Sequence, residues 1–328
     1  MPTDEPLAGG EDHLPGVSVV MPVRNEATHL GAALASVFAQ DYRGPIEVVI
    51  AVGHSRDGTR EIAEQSIAAH PSARIVSNPS GRTPDALNAA IAASSHPVVA
   101  RVDAHGALPP DYLSTAIPIL METGSANIGG RAIPEGVSLM QRAIAVAMGS
   151  PLGMGAARFR VGGAAGEAET VFPGVFQREW LERVGGFNPE YERAQDWEMN
   201  LRIRQAGGIV WFTPQLCVTY HPRRSLGSLA QQFYATGQWR RRLSREQKGA
   251  LNGRYLAPPA LVLILAGAFA LAPVWPAALL LPAGYAAVLA GGGVLIASKE
   301  PWAVRLRVPG ALATMHVSWG SGFLVGAH

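Results

Sequence analysis

Cysteine, lysine and charge are all scarce in this chain. One cysteine, Cys217, among 328 residues excludes an intramolecular disulfide, so no disulfide framework holds the fold. Only Lys248 and Lys299 are lysines among 27 basic residues, and we read the preference for arginine as compositional bias. A net charge of +2 is too small for a general nucleic-acid binder. Charged residues make up 16% of the chain against 48% hydrophobic, which excludes disorder. The N-terminus lacks any apolar run. Met1 to Gly16 is polar and rich in Pro, Gly, Asp and Glu, expected as a flexible tail and not a signal peptide. At about 150 residues per domain the chain has room for two domains. Its positive mean hydropathy (+0.13) points to membrane segments.

The longest gap in charge lies near the other end. From Tyr255 to Ser298 there is no Asp, Glu, Lys or Arg. That length suits two spans of about 20 residues each, expected at Leu256–Val274 and Pro276–Ala297 with a turn between Pro273 and Pro276. A third uncharged stretch, Val308–Ala327, can be read as a span, a re-entrant segment or an interfacial helix. Arg240, Arg241, Arg242, Arg245, Lys248 and Arg254 precede the first span, and Lys299, Arg305 and Arg307 follow the second. The positive-inside rule then gives a hairpin in the inner (plasma) membrane with the N-terminal domain in the cytoplasm. The alternative is a buried helical hairpin of a soluble protein. Residues 225–254 read as basic amphipathic helix suited to the membrane surface, and residues 255–328 as the membrane region.

Residues 17–224 alternate short apolar runs with amphipathic segments. Strands are expected at Val17–Met21, Ile46–Val52, Arg74–Ser77 and Val98–Val102, with helices over Ala27–Ala39, Thr59–Ala69 and from Thr83-Pro84. Continuous apolar strands alternating with helices mean an α/β fold, a doubly wound, mostly parallel sheet covered on both faces. Ligands of such sheets sit beyond the carboxyl ends of the strands, where Asn25, Asp57 and Asp103 all fall. The glycine-rich stretch Gly149–Gly166 reads as a mobile lid or a plain surface loop. A strand near Val171–Phe176, a helix from Arg178 to Gly185-Gly186 and a helix Asp196–Ala206 follow.

Five blocks carry a resemblance. Val19-Val20-Met21-Pro22-Val23-Arg24-Asn25-Glu26, Ser55-Arg56-Asp57-Gly58-Thr59, Asp103-Ala104-His105, Gln195-Asp196 and the Gln232…Trp239-Arg240 segment occur in this order. Together they resemble the family 2 glycosyltransferases with the GT-A fold, over Val17 to Arg242. The tail resembles the membrane-bound, succinoglycan-type (ExoA-like) branch. The resemblance implies a UDP- or GDP-sugar donor contacted by Pro22, Arg24, Asn25, Glu26, Asp57, Arg82 and Asp103. It also implies an acceptor site near Gln232, Trp239 and Arg240. The last segment differs from the family's Gln-x-x-Arg-Trp element in spacing and order. The family's usual acid, four or five positions before Asp57, is replaced by Gly53 or Val52.

The residues have their own logic beside the resemblance. Asp103 and His105 lie two apart at a strand end, so their side chains share one side of extended backbone. They can hold a divalent ion, Mn²⁺ or Mg²⁺, that neutralises a leaving diphosphate, and an imidazole ligand leans towards the softer ion. His221 stands where related enzymes supply a further metal ligand. In the family the acid matching Asp196 is the general base of an inverting displacement, an effect worth about 100- to 10,000-fold. A bare aspartate there could equally cap its helix, with Glu198 as the alternative base. The expected function is transfer of a sugar from a nucleotide-sugar to a lipid-linked saccharide, with no nucleic-acid partner. A polyprenyl-phosphate sugar synthase and a non-catalytic partner in polysaccharide export are the alternatives.

Overall fold

The structure, a computed structural model, describes residues 14–327. Most of the expected N-terminal tail lies outside the described residues. Its last residues lead straight into the sheet, and the Tyr42 hydroxyl donates to the Pro15 carbonyl at 2.6 Å.

Strands β1 (Val17–Val23), β2 (Ile46–Gly53), β3 (Ala73–Asn78) and β4 (Val98–Arg101) pair in parallel in the order β3-β2-β1-β4. Between them run helices α1 (Leu30–Phe38), α2 (Thr59–Ile67) and α3 (Thr83–Ala92). The parallel half alternates between two cores, as period-2 backbone requires. Val19, Met21, Ile50 and Val52 pack with Leu34 of α1 and Ala63 of α2. Val20, Val49 and Ala51 face the other way, against Leu87 and Ala90 of α3. Burial on both faces is why these strands read as unbroken apolar runs. Helix α3 starts one residue earlier than its expected cap: Arg82 is the N-cap, with Thr83 already helical.

The chain continues through β5 (Gly106–Ala107), α4 (Tyr112–Thr123), β6 (Asn127–Pro134), α5 (Leu139–Met148), α6 (Pro151–Met154), α7 (Arg158–Val161), β7 (Gly166–Glu167), β8 (Phe172–Gln177), α8 (Arg178–Arg183), α9 (Gln195–Gln205) and β9 (Val210–Tyr220). Strand β8 runs antiparallel to both β4 and β6, and β9 runs parallel to β6, which extends the sheet to nine strands. The glycine-rich stretch is not plain loop throughout. It folds into α6 and α7, with Ser150 capping α6.

After α10 (Leu226–Glu246) come α11 (Ala257–Leu271), α12 (Leu280–Ile296), α13 (Trp302–Arg305) and α14 (Val308–Val325). Among the described residues two helical stretches are long and apolar enough to cross a membrane, Gly253–Leu271 and Pro276–Ile296, with mean hydropathy 1.7 and 1.9. Only 11% of each is buried, and Phe269, Leu280 and Leu295 are exposed, which argues against the buried soluble hairpin. The third uncharged stretch forms α14, which packs on α10, α11 and α12 with Ala311, Leu312, Met315 and Phe323 buried. Small residues let it approach. A Cβ on Gly237 of α10 would overlap the Trp319 carbonyl, and one on Gly322 would overlap the Tyr234 carbonyl. The α6 turn docks on the same bundle. His316 Nε2 donates to the Leu152 carbonyl at 2.8 Å, which leaves Nδ1 to accept from the Tyr285 hydroxyl at 3.0 Å.

Glu47, 6% exposed, ties the amino ends of the strands. It accepts from Ser18 at 2.7 Å, from the Ser95 amide at 2.5 Å and from Arg74 at 2.6 Å. Burial pushes its carboxyl up, but the Ser95 amide, Ser18 and Arg74 outweigh that and hold it at about 2, below the ordinary 4.5. Its folded pKa is depressed, so its stabilisation is present above pH 4.5 and lost as pH falls through about 2. Glu47→Gln should cost about 2 kcal/mol in denaturant unfolding at pH 7 and less at pH 3. Equal losses at both pH values would contradict this assignment.

Candidate functional site

The β1–α1 and β2–α2 loops are pinned to each other. Asn25 takes a positive φ of 53°, a conformation asparagine tolerates better than most residues. Its Oδ1 accepts from the Arg56 amide and its amide donates to Ser55 Oγ, both at 3.0 Å. Asp57 accepts from the Ala27 amide at 3.1 Å and from Thr59 Oγ1 at 2.5 Å, and the Thr59 hydroxyl holds its carboxyl low. The Glu26 amide donates to Thr59 Oγ1 at 2.9 Å. Asn25 and Asp57, expected to touch the donor, thus spend these groups shaping the two loops. Arg24 Nη1 donates to the Gly81 carbonyl at 3.2 Å, and Arg82 is paired with Asp85 at 2.8 Å. Pro22 lies within β1, one residue before its end.

Beside these loops, at the carboxyl ends of β2 and β3, opens a cavity of about 770 Å³. His54, Arg56, Arg60, Glu61 and Asn78 line it, together with Gly53, which stands where the resemblance led us to look for an acid. Two strand spacings, about 10 Å, separate β2 from β4 across β1.

At the end of β4 the strand leaves Arg101 3% exposed in an apolar layer. Its Nε donates to Asp103 Oδ1 at 2.9 Å and its Nη1 to Asp196 Oδ1. The buried cation therefore joins the expected metal ligand to the expected base. Asp103 is pushed up by burial but pulled below the ordinary carboxylate range by Arg101 and His105. Asp196 goes the other way. Desolvation, with a smaller push from Asp103, outweighs Arg101 and raises it to about 6. This reverses the simple expectation that an aspartate in the first turn of a helix is strongly acidic.

Asp196 does not cap α9. The N-cap is Ala194, held at φ 62°, and the Asp196 side chain goes to Arg101 instead of a backbone amide. A non-glycine residue in that conformation costs about 1 kcal/mol or more, so the turn that presents Asp196 is strained. Glu198 is excluded as the alternative base. It is 1% exposed and gripped by Arg202 at 2.6 and 2.7 Å.

His105 and His221 flank the end of one ladder, and the His221 ring lies 5.7 Å from that of His29. Gly106 pairs with Tyr220 in the antiparallel β5–β9 ladder, so His105 and His221 occupy the next register position. His105 Nδ1 lies 3.4 Å from Glu26 Oε1, and Glu26 holds the imidazole above its ordinary range. Glu26 is thus placed behind His105. His221 Nδ1 donates to the Glu135 carbonyl at 3.0 Å.

The three residues expected at the acceptor lie on α10 (Leu226–Glu246), which meets the site through Trp197, the neighbour of Asp196. Gln232 accepts from Arg223 at 3.1 Å, and Trp239 packs near Tyr191 with ring centroids 5.9 Å apart. Arg240 is 5% exposed, sandwiched between Trp197 at 3.6 Å and Tyr255 at 4.1 Å. Neighbouring residues of a helix point about 100° apart, so Trp239 and Arg240 serve different faces.

The profile of Glycosyl transferase family 2 matches residues 18–184, which is half of the chain. Succinoglycan biosynthesis protein ExoA of Rhizobium meliloti (strain 1021) is 30% identical over 310 residues, covering 93% of each chain. The chain belongs to glycosyl transferase family 2. Within the family it falls in the ExoA-like branch. A Methanococcus voltae protein named dolichyl N-acetyl-alpha-D-glucosaminyl phosphate 3-beta-D-2,3-diacetamido-2,3-dideoxy-beta-D-glucuronosyltransferase is 23% identical over 251 residues, covering 74% of this chain and 77% of its own. Among solved structures, the mannosyltransferase PcManGT from Pyrobaculum calidifontis, in complex with GDP-Man and Mn²⁺, superposes with a TM-score of 0.60. It is 22% identical, and the match covers 92% of this chain and 86% of that one, so it supports the GT-A fold.

In this glycosyltransferase the residues present suit a divalent ion that the substrate helps to hold. Among the described residues no group of three or more His, Cys, Asp or Glu forms a metal cluster. Ions of the Mg²⁺ type are commonly held by one or two protein groups plus substrate phosphates. Asp103 with one oxygen engaged by Arg101, and His105 oriented through Nδ1 by a carboxylate, fit that pattern.

Arg101 is the functional residue that sequence reasoning missed. Its signal was a charge inside the apolar strand Val98–Arg101. Arg101→Gln should remove the cation that restrains Asp196, raising the latter above about 6. The acid limb of the pH–rate profile should move to higher pH, with about 3 kcal/mol of stability lost. An unmoved limb would show that the pair does not govern Asp196.

Proposed function

We propose that the chain is a membrane-anchored, metal-dependent, inverting glycosyltransferase with its GT-A domain in the cytoplasm. It moves one sugar from a UDP- or GDP-sugar to a lipid-linked saccharide in polysaccharide or glycolipid biosynthesis. The observation that carries this reading is the shared ion pair of Arg101 with Asp103 and Asp196. It holds the diphosphate end of the donor next to a carboxylate with a pKa of about 6.

The nucleotide lies along the strand ends, its base in the cavity at β2 and β3 and its diphosphate at Asp103. A divalent ion held by Asp103, His105 and the diphosphate would neutralise the charge of the departing nucleotide. Asp196 takes the proton of the acceptor hydroxyl as that oxygen bonds to the anomeric carbon. The bond from that carbon to the phosphate oxygen breaks, and the nucleoside diphosphate leaves with its electron pair. A pKa near the working pH keeps Asp196 mostly ionised at pH 7 yet basic enough to accept a proton. The likeness to ExoA and to the Methanococcus voltae glycosyltransferase, and the GDP-Man and Mn²⁺ bound by PcManGT, support this choice of reaction.

Asp196→Asn should lower transfer at least about 100-fold while affinity for GDP or UDP with Mn²⁺ changes little. With the wild type, transfer should fall as pH drops through about 6, because the base becomes protonated. NMR of the product should show an inverted anomeric centre. Near-normal turnover of the Asn variant, or a retained anomer, would sink the mechanism. Chromatography of radiolabelled product separates a glycosylated lipid-linked saccharide from a polyprenyl-phosphate sugar.

Anchoring is tested independently. In a variant with Cys217 replaced, single cysteines at Arg241 and Lys299 flank the hairpin. Both should label only from the cytoplasmic face. Labelling from opposite faces would rule out the two-span hairpin.

A further inference from the structure

The stretch between β6 and β7 places two arginines in an unusual state. Arg131 lies in β6, three residues before its carboxyl end, and Arg160 lies in α7. Nε of Arg131 and both Nε and Nη1 of Arg160 are shut off from solvent without a hydrogen-bond partner among the described residues. An unmet buried donor costs about 1–3 kcal/mol, and more when the group is charged. The buried Arg101 is matched by two carboxylates, and Arg240, between two aromatic rings, has one unpaired nitrogen; the half-buried Arg160, against the rings of Phe159 and Tyr220, has two.

Their placement is equally specific. The Arg160 guanidinium lies over the ring of Tyr220, 4.7 Å from its centroid, and Tyr220 pairs with Gly106 beside His105. Opposite Arg131 stands Gly162, at φ 87°, where a Cβ would come within 3.2 Å of the arginine Nε. Gly162 covers that edge with backbone alone, so a small backbone shift exposes it. The preceding turn, α6, is bonded to α14 through Leu152 and His316. The two guanidinium groups thus stand between the His105 end of the crevice and the apolar C-terminal helices.

We propose that Arg131 and Arg160 form an anion subsite that binds the diphosphate of the lipid-linked acceptor. The inference rests on the acceptor class proposed above. Guanidinium forks match phosphate oxygens in geometry and charge, and two of them suit a diphosphate. The donor carries a diphosphate too, but that one belongs at Asp103. The arginines sit on the side where a lipid headgroup enters from the apolar helices.

The test uses the full chain in nanodiscs, with Arg131→Gln, Arg160→Gln and Arg160→Lys made separately and melting temperatures recorded. Three probes are titrated: inorganic pyrophosphate in EDTA, polyprenyl diphosphate against polyprenol, and GDP or UDP with Mn²⁺. Each Gln variant should lose about tenfold or more in affinity for pyrophosphate and for polyprenyl diphosphate. Arg160→Lys should lose less, and nucleotide affinity should stay within about twofold of wild type. Unchanged pyrophosphate affinity in both Gln variants, with melting temperatures intact, would overturn the subsite. Loss of nucleotide affinity in parallel would overturn the acceptor assignment and give the arginines to the donor. Wild-type protein that responds to pyrophosphate but binds polyprenyl diphosphate no better than polyprenol would overturn the acceptor assignment together with the lipid-linked reading. That result is distinguishable from failure of the subsite, because the pyrophosphate arm still responds.

Discussion

Because Arg101 is buried at the end of β4, its guanidinium can be satisfied only by acceptors brought to it, and the two that come are Asp103 and Asp196. These residues lie far apart in the chain and serve opposite ends of the chemistry. A buried cation left with one partner would be costly, about 3–5 kcal/mol for a broken pair, so the fold is committed to holding both acids together. One cation against two carboxylates leaves the cluster net negative. That is the local charge a divalent ion complements, and it also explains why the acids diverge. Asp103, helped by Arg101 and His105, stays strongly acidic, whereas Asp196 is desolvated and further disfavoured by Asp103. On the proposed reading the two carboxylates, pushed apart in pKa, have their roles assigned by environment: a permanent anion on one side, a base poised near neutrality on the other.

The same region is docked on the C-terminal helices. Trp197 follows Asp196 directly, and the Arg240 guanidinium of α10 is clasped between Trp197 and Tyr255 at the start of the first apolar stretch. Desolvation lowers Arg240 to about 10, still far above neutral pH, so the cation persists in its aromatic clasp. A desolvated cation–π contact is worth about 2 kcal/mol. Two such faces on one guanidinium fix the helix that carries Asp196 relative to that stretch without any carboxylate. The glycine-mediated contact of α10 with α14 completes the link.

The parallel half of the sheet was legible in the sequence because β1, β2 and β4 are buried on both faces and therefore mostly apolar, with β3 completing the alternation of strand and helix. The second half was not. β6 carries Gly129-Gly130 and ends in Pro134, and β9 contains Pro214 at a break in register between the two. A Cβ on Gly130 would overlap the Leu216 carbonyl, so glycine there marks a close approach of strands instead of a loop. The site residues followed the same division. Asp103, His105 and Asp196 were visible as chemistry at element ends. Arg101 was hidden by the abundance of arginine, and its partners are long-range contacts that no local pattern reports. Trp239 and Arg240 were legible as a pair, but the neighbours each one meets were not. Adjacent in sequence, they point to different sides of a helix, and burial decides which neighbours each meets.

The order of strands gives the site a direction. The cavity opens at β2 and β3, the pinned loops sit over β1, Asp103 follows β4, and His105 reaches β9 through β5. On the proposed reading a nucleotide sugar lying along these strand ends has its base at the outer edge and its sugar towards β9. The acceptor hydroxyl must attack from the side away from the leaving diphosphate, and Asp196 must reach it there. What borders that side is α6 and α7, bonded to α14, and α10, packed on α14 and clasped at Tyr255. The donor end is therefore open to solvent, as a soluble nucleotide requires, while the acceptor end is walled by helices whose exposed faces are apolar. That asymmetry, set by a mixed sheet whose antiparallel half meets the apolar C-terminal helices, is what the proposed reaction between a water-borne donor and a lipid-borne acceptor demands.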